Sequence, residues 1–220
     1  MKKIPLSEQA YDEIYKKIIT LQFAPGEPLE EKHLIESLKI GRTPIREALL
    51  RLSTDMLVEA RPKKGFMVRP ITFQTVKAMF EALELIEVGI AELAVRQPCE
   101  ESLAKMEEAN REVGEAIAAN DIYRLILSNN EFHMAFAECA SNPYLYRAMK
   151  EVRCEANRLA YMSFTQEDGL GKPLSEHYKS VKEDHANVIA HVRNKDEEKL
   201  KATVLKLKEG FKTRVIHYLT

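Results

Sequence analysis

The sequence predicts a mainly α protein in two parts. Three short helices and a small β-hairpin fall within residues 1–70, and an all-α bundle of about six helices fills residues 71–220. Three observations carry this reading. Six of the nine prolines lie in the first 70 residues, so long uninterrupted helices belong to the remaining 150 or so. Beyond Pro70, apolar residues recur at helical spacing in long segments, whereas the clearest period-two alternation lies before it. The chain has 220 residues, of which 45% are hydrophobic, enough to bury one large core or two small ones.

Taken in order, Ser7 is positioned to cap a first helix that runs to about Leu21, with Ala10, Ile14, Ile18 and Leu21 on one stripe. Phe23-Ala24-Pro25-Gly26 ends it. A second helix fits Glu30 to Leu38. A third opens at Thr43-Pro44, threonine as cap and proline in the first helical position, and ends near Asp55. Leu57-Val58-Glu59-Ala60 and Phe66-Met67-Val68 then form two strands around the basic tip Arg61-Pro62-Lys63-Lys64-Gly65. Leu34, Leu38, Ile45, Leu49, Leu52 and Leu57 make the small core. In the bundle, Val76, Met79, Phe80, Leu83, Ile86, Ile90 and Leu93 share one stripe. Five more helices are expected near 99–119, 121–141, 144–165, 174–193 and 196–219. Their breaks are expected at Pro98, Asn120-Asp121, Asn142-Pro143, Gly169-Leu170-Gly171 and Asn194.

Charge separates along the same line. The chain has 33 basic and 34 acidic residues, but those up to Pro70 number 13 Lys+Arg against 10 Asp+Glu, leaving 20 against 24 behind it. A basic front joined to an acidic back directs the search for a polyanion partner to the front. Cys99, Cys139 and Cys154 are odd in number and widely spaced, which suits neither a disulfide framework nor a CxxC site, so a reducing cytoplasm is expected. No apolar run reaches the roughly 20 residues a bilayer needs, and MKKIPLSEQAYDEI turns acidic where a signal peptide would be apolar. The protein is expected to be neither secreted nor membrane-spanning.

Three short helices followed by a basic hairpin describe a winged helix-turn-helix, whose helix after the turn enters the DNA major groove. Ile40-Gly41 supplies the turn. Arg42 and Arg46, four apart, share a face at the start of the third helix, where free backbone N–H groups favour phosphate and guanidinium forks suit guanine. Lys63 and Lys64 would reach a neighbouring groove or the backbone, with Gly65 allowing close approach. Glu47 is expected to pair internally.

These residues resemble a known family. The run PGEPLEEKHLIESLKIGRTPIREALLRLSTDMLVEARPKKGFMV resembles the DNA-binding domain of GntR-type bacterial transcription regulators, with TPIREAL as its most specific core. EFHMAFAECASNPYL and EDHANVIAHV resemble the ligand-sensing domain of the FadR branch, so the resemblance covers essentially the whole chain. It implies a homodimer on a short palindromic operator, released or repositioned when a small metabolite binds the bundle. Carried over by position, Lys32, Arg42, Thr43 and Arg46 would contact DNA, with Lys64 and Gly65 acting from the wing.

In the bundle, Leu125, Asn129, Phe132, His133, Phe136 and Ala140 form one face, and His177, Val181, His185, Val188 and Val192 another. His133 and His185 can therefore converge, an arrangement that suits a divalent metal. The resemblance implies a fuller metal set, with an aspartate four residues before the FH histidine and a third histidine in the last helix. Here those positions are Asn129 and Leu207, and an arginine position of the first bundle helix, four before Glu87, is Leu83. No cofactor is expected to be required, and divalent metal, held by His133, His185 and Asn129 alone, is expected to be weak or absent. The effector pocket is then Leu83, Asn129, His133, His185 and Leu207. His177 stands roughly 12 Å from His185 along the helix, too far to complete the set. His191 and His217 are peripheral, and the facing of Arg153, Asn157 and Arg158 is left open. Two alternatives stand beside a regulator: a bundle that only dimerises, and a metal-dependent hydrolase using Glu183, Asp184, His185 and His133. The incomplete ligand set argues against the hydrolase.

Overall fold

A computed structural model describes residues 4–97, 99–165 and 174–219, with side chains from Tyr178 onward in the last stretch. The helix breaks expected at Pro98 and Gly169-Leu170-Gly171, and the side chain of His177, lie outside the described residues. The chain divides into two compact units, 1–76 and 77–220.

The first unit contains α1 (Leu6–Ile19), β1 (Pro28–Leu29), α2 (Glu31–Leu38), α3 (Arg42–Thr54), β2 (Val58–Arg61) and β3 (Gly65–Val68). Ala10, Ile14, Ile18 and Ile19 of α1 and Ile45, Ala48, Leu49 and Leu52 of α3 are fully buried, a spacing of three and four that turns one face of each helix inward. Leu34 and Leu57 join them, while Leu38 is only half-buried. Each such leucine contributes about 1.5 to 3 kcal/mol by leaving water. Tyr11 fastens α1 to α3: its hydroxyl donates to Asp55 Oδ2 at 2.6 Å, and the Arg51 guanidinium lies 4.5 Å from its ring centre.

Several local expectations need correction. Ser7 stands inside the first turn of α1, whose N-cap is Pro5, and Leu21 has left the helix with φ of 58°. Gly41, not Thr43, is the N-cap of α3, which puts Pro44 third. The left-handed residue of the α2–α3 turn is Lys39 (φ 55°), while Gly41 at −64° is open to any side chain. The wing is a three-stranded antiparallel sheet in the order β1-β3-β2, with Val58 opposite Val68 and Leu29 opposite Phe66. These four side chains are buried and seal the sheet onto the helices. Glu47 is exposed and has no ion-pair partner among the described residues.

The second unit is the expected helical bundle: α4 (Phe73–Ala94), α5 (Glu100–Ala118), α6 (Ile122–Cys139), α7 (Pro143–Phe164), α8 (Leu174–Arg193) and α9 (Glu197–Leu219). The α5–α6 and α6–α7 turns are short because caps end and restart the helices within a few residues. Asn120 takes φ of 52° and Asp121 accepts the Arg124 N–H to start α6, and Ser141 at 46° precedes Asn142, which accepts the N–H groups of Tyr144 and Leu145. Pro143 therefore opens α7 rather than separating it. Phe132, Phe136, Met106 and Leu159 fill the centre. Arg158 is wholly buried, its Nη2 donating at 2.8 Å to both carboxylate oxygens of Glu155. Among the described residues, no helix is long and apolar enough to cross a membrane.

Candidate nucleic-acid interface and effector pocket

In the first unit the start of α3 is open. Gly41 caps it without a side-chain hydrogen bond, the first intrahelical bond found there is Ile45 N–H to Gly41 carbonyl, and no acidic residue occupies the first turn. The Gly41, Arg42 and Thr43 amides thus lie at the positive end of the helix dipole. Arg42, Thr43 and Arg46 are all exposed, as is Lys32 on α2. Arg42 Nε donates to Glu31 Oε2 at 3.1 Å, an exposed pair that a phosphate can displace. At the hairpin tip Lys63 takes φ of 64° and Gly65 79°, and Lys64 N–H bonds the Arg61 carbonyl at 3.0 Å, leaving Lys63 and Lys64 exposed. The local fold thus exposes two sets of cations, one at a helix start and one on a tight turn.

In the second unit a cavity of about 60 Å³ is lined on its apolar side by Leu83, Leu125, Ala156, Val181, Leu207 and Phe211. Its polar lining is Glu87, Asn129, His133, Arg153, His185 and Lys208. The sequence-derived residues Leu83, Asn129, His133, His185 and Leu207 therefore line one cavity. The His133 and His185 ring centres are 5.6 Å apart and nearly perpendicular, and His185 stacks on Phe132 at 3.7 Å. His185 Nδ1 is fixed by Asn110 Oδ1 at 3.2 Å, which leaves its Nε2 buried without a hydrogen-bond partner among the described residues. Nδ1 of His133 lies 3.2 Å from Glu87 Oε1 but without hydrogen-bond alignment, so it too has no hydrogen-bond partner among the described residues.

Burial controls the charges here. It pushes Glu87 up to about 7, against the pull of Arg153 and Lys208. Burial, and then the Arg153 charge, hold His133 well below the ordinary imidazole range; burial, His133 and Arg153 do the same for His185. Both rings are neutral near pH 7, able to donate or accept. Arg153, buried on α7, is held by Asn130 Oδ1 at 3.5 Å and Asn157 Oδ1 at 3.3 Å. Lys208 contacts Glu84 and, at 2.7 Å, Glu209. Arg153 stands in the sequence only as a residue of open facing, and Lys208 is not singled out there at all. Their helical phase is the only signal, and a charged residue at such a phase normally reads as solvated.

A metal would need more than this cluster gives. Asn129 is neutral, Leu207 carries no donor, and among the described residues no group of three or more His, Cys, Asp or Glu is arranged to hold an ion. The donor set does not fit a tightly held metal. The hydrolase alternative also fails geometrically, since Glu183 is exposed and Asp184 Oδ1 is taken by Lys206 Nζ at 2.7 Å.

A winged-helix unit with a cationic helix start, and a helical unit with a cavity lined by both polar and apolar side chains, are the two parts of a ligand-responsive transcription regulator. Comparison with known proteins agrees. Residues 6–68 match the model of the bacterial regulatory proteins of the gntR family, and residues 78–207 match the FCD domain. The chain belongs to the GntR-family regulators that carry an FCD effector-binding domain. It is similar to the uncharacterized HTH-type transcriptional regulator YdhC of Bacillus subtilis, 26% identical over 93% of this chain and 88% of that one. It is also similar to the HTH-type transcriptional repressor RspR of Escherichia coli, 25% identical over 73% of this chain and 70% of the other. Among solved structures, E. coli McbR/YncC shares the fold with a TM-score of 0.78, 20% identity and 99% of both chains covered.

Proposed function

We propose that this regulator binds a palindromic operator as a homodimer in the cytoplasm, and that a small metabolite seated in the cavity of the second unit alters its DNA affinity. On this reading residues 1–70 are the DNA-binding domain and 71–220 the effector-binding and dimerisation domain. Arg46 and Arg42 read base edges or phosphate at the start of α3. Thr43 and Lys32 hold the backbone, and Lys64 with Gly65 extends the contact from the wing. Two half-sites supply the specificity that one small domain lacks. An exposed apolar face supports self-association. Leu85 is 76% exposed on α4 and Tyr144 is 84% exposed at the start of α7. The two helices are adjacent there, since a side chain at Gly89, one turn beyond Leu85, would meet Leu145 at 3.8 Å.

The single observation that carries the effector reading is that two imidazole nitrogens on the cavity lining, His133 Nδ1 and His185 Nε2, are buried without a hydrogen-bond partner among the described residues. A buried polar atom without a partner costs about 1 to 3 kcal/mol, which a ligand hydrogen bond recovers. Arg153 beside them favours a negative or accepting group, and Leu83, Leu207 and Phe211 favour an apolar body. The effector is accordingly a small, partly apolar organic acid, bound without an essential metal. The test is a thermal-shift screen of the full chain against small organic acids with a chelator present. At a hundred times its Kd such a ligand adds about 2.7 kcal/mol. A hit should change operator affinity and lose its effect in Arg153→Met; a screen without hits, or shifts indifferent to Arg153→Met, would overturn this pocket assignment.

A further inference from the structure

One residue outside the cavity decides what its deepest histidine can do. Asn110 is buried on α5 and makes two hydrogen bonds to α8. Its Nδ2 donates to the Lys182 carbonyl at 3.2 Å, and its Oδ1 faces His185 Nδ1, also at 3.2 Å. A backbone carbonyl can only accept, so the amide end turned to Lys182 is the NH2 group and the end turned to His185 is the oxygen. An oxygen facing Nδ1 requires Nδ1 to donate. Burial keeps the ring neutral, with one proton to divide between its two nitrogens, so His185 is the Nδ1–H tautomer and its Nε2 carries a bare lone pair. Packing holds the ring against turning over. His185 is fully buried, lies flat on Phe132 with ring centres 3.7 Å apart and planes 8° from parallel, and meets the His133 ring edge-on. Its Nε2 is buried without a hydrogen-bond partner among the described residues, on a side chain that lines the cavity.

We propose that Asn110 is a specificity-determining residue of the effector site: by fixing the His185 tautomer it makes Nε2 an acceptor only, so the effector must present a hydrogen-bond donor to that nitrogen. This role rests on the effector reading of the cavity and narrows it. Arg153 and Lys208 line the same cavity and repel an ammonium donor, which leaves a neutral hydroxyl as the group that fits. The effector is then an acid with a hydroxyl group, its carboxylate drawn to Arg153 and its hydroxyl donating to His185 Nε2. The matching oxo acid would set a carbonyl lone pair against the Nε2 lone pair. The unsubstituted acid would leave Nε2 unpaired. Asn110 touches no ligand in this arrangement. It is a positioning residue, acting through His185.

The test has two arms on the full chain, both with a chelator present. In the first, two-bond proton–nitrogen correlation spectra of nitrogen-15-labelled protein read the His185 tautomer directly, and Nδ1 should carry the proton. In the second, calorimetric titration compares 2- and 3-hydroxybutanoate and 2- and 3-hydroxyhexanoate with 2-oxobutanoate, 2-oxohexanoate, butanoate and hexanoate. A hydroxy acid should bind about tenfold tighter, or more, than the oxo and unsubstituted acids of its length. Asn110→Leu frees the tautomer, so in the folded variant this preference should shrink to within about threefold. A merely structural role for Asn110 would weaken all the acids alike and keep their ranking. Should Asn110→Leu fail to fold, the tautomer and the ranking in unmodified protein decide. A proton on Nε2 in the unmodified protein, equal affinity for hydroxy and oxo acids, or a ranking unchanged in folded Asn110→Leu would each overturn the proposal while leaving the acid-binding cavity standing. Binding of none of these acids would overturn the cavity reading and the proposal together.

Discussion

Arg46→Ala should weaken operator binding at least about thirty-fold while leaving the fold intact. The side chain is exposed one turn into α3, and removing it breaks no ion pair or hydrogen bond among the described residues. Stability should therefore change by less than about 0.5 kcal/mol. A bidentate arginine contact to guanine is worth about 1 to 3 kcal/mol. A two-fold protein makes it twice, which gives about 2 to 6 kcal/mol, or roughly thirty-fold to ten-thousand-fold in Kd. Arg42 should count for less, because it must first leave Glu31, an exposed partner 3.1 Å away worth up to about 1 kcal/mol. Glu31→Gln should do the opposite of both: it frees Arg42 and removes a negative charge from beside the phosphate path, so affinity rises. The assay is fluorescence anisotropy with a labelled operator duplex, all variants at matched salt, because phosphate contacts make Kd steeply salt-dependent. An unchanged Kd for Arg46→Ala with an unchanged melting temperature would refute the assignment of α3 as the reading helix, and weaker binding by Glu31→Gln would refute its charge logic.

The other expectations concern the second unit. Glu87 titrates at about 7 instead of 4.5, so the fold favours its protonated form. Its contribution is complete below 4.5 and is lost as pH rises through about 7, a change of about 3 kcal/mol. Glu87→Gln cannot ionise, so its melting temperature relative to unmodified protein should climb between about pH 5 and about pH 8; a constant difference would show that Glu87 does not titrate there. Elemental analysis of the purified protein should find substoichiometric divalent metal or none, and Asn129→Asp with Leu207→His should raise metal affinity; one tightly held ion per unmodified chain would contradict the donor count. Sedimentation should give a dimer at micromolar concentration and a monomer for Leu85→Glu, while an unaffected dimer would place the contact elsewhere.

The helical architecture was legible because apolar residues at spacings of three and four report a buried face directly. Ile14 and Ile18 of α1 and Ile45, Leu49 and Leu52 of α3 are fully buried as their periodicity implies. Strand β1 was not legible, since a two-residue strand with proline in it carries no alternation. The start of α3 was misread at Thr43 because threonine and glycine both cap helices, and only the backbone angles decide. In the cavity, His133 and His185 can be phased from their stripes, whereas Leu83, Asn129 and Leu207 are marked as pocket positions by what the family resemblance implies. Arg153 and Lys208 could not be placed in either way, because tertiary packing rather than local sequence turns their charged groups inward.

Whether the winged unit reads a specific two-fold symmetric DNA sequence is tested most directly by selecting bound duplexes from a random pool with the full-length protein. One palindromic motif whose half-sites match the two-fold of the protein should be enriched, and Arg46→Ala should lose that enrichment. Recovery of no motif, or of the same motif with Arg46→Ala as with the unmodified chain, would contradict DNA reading by this unit.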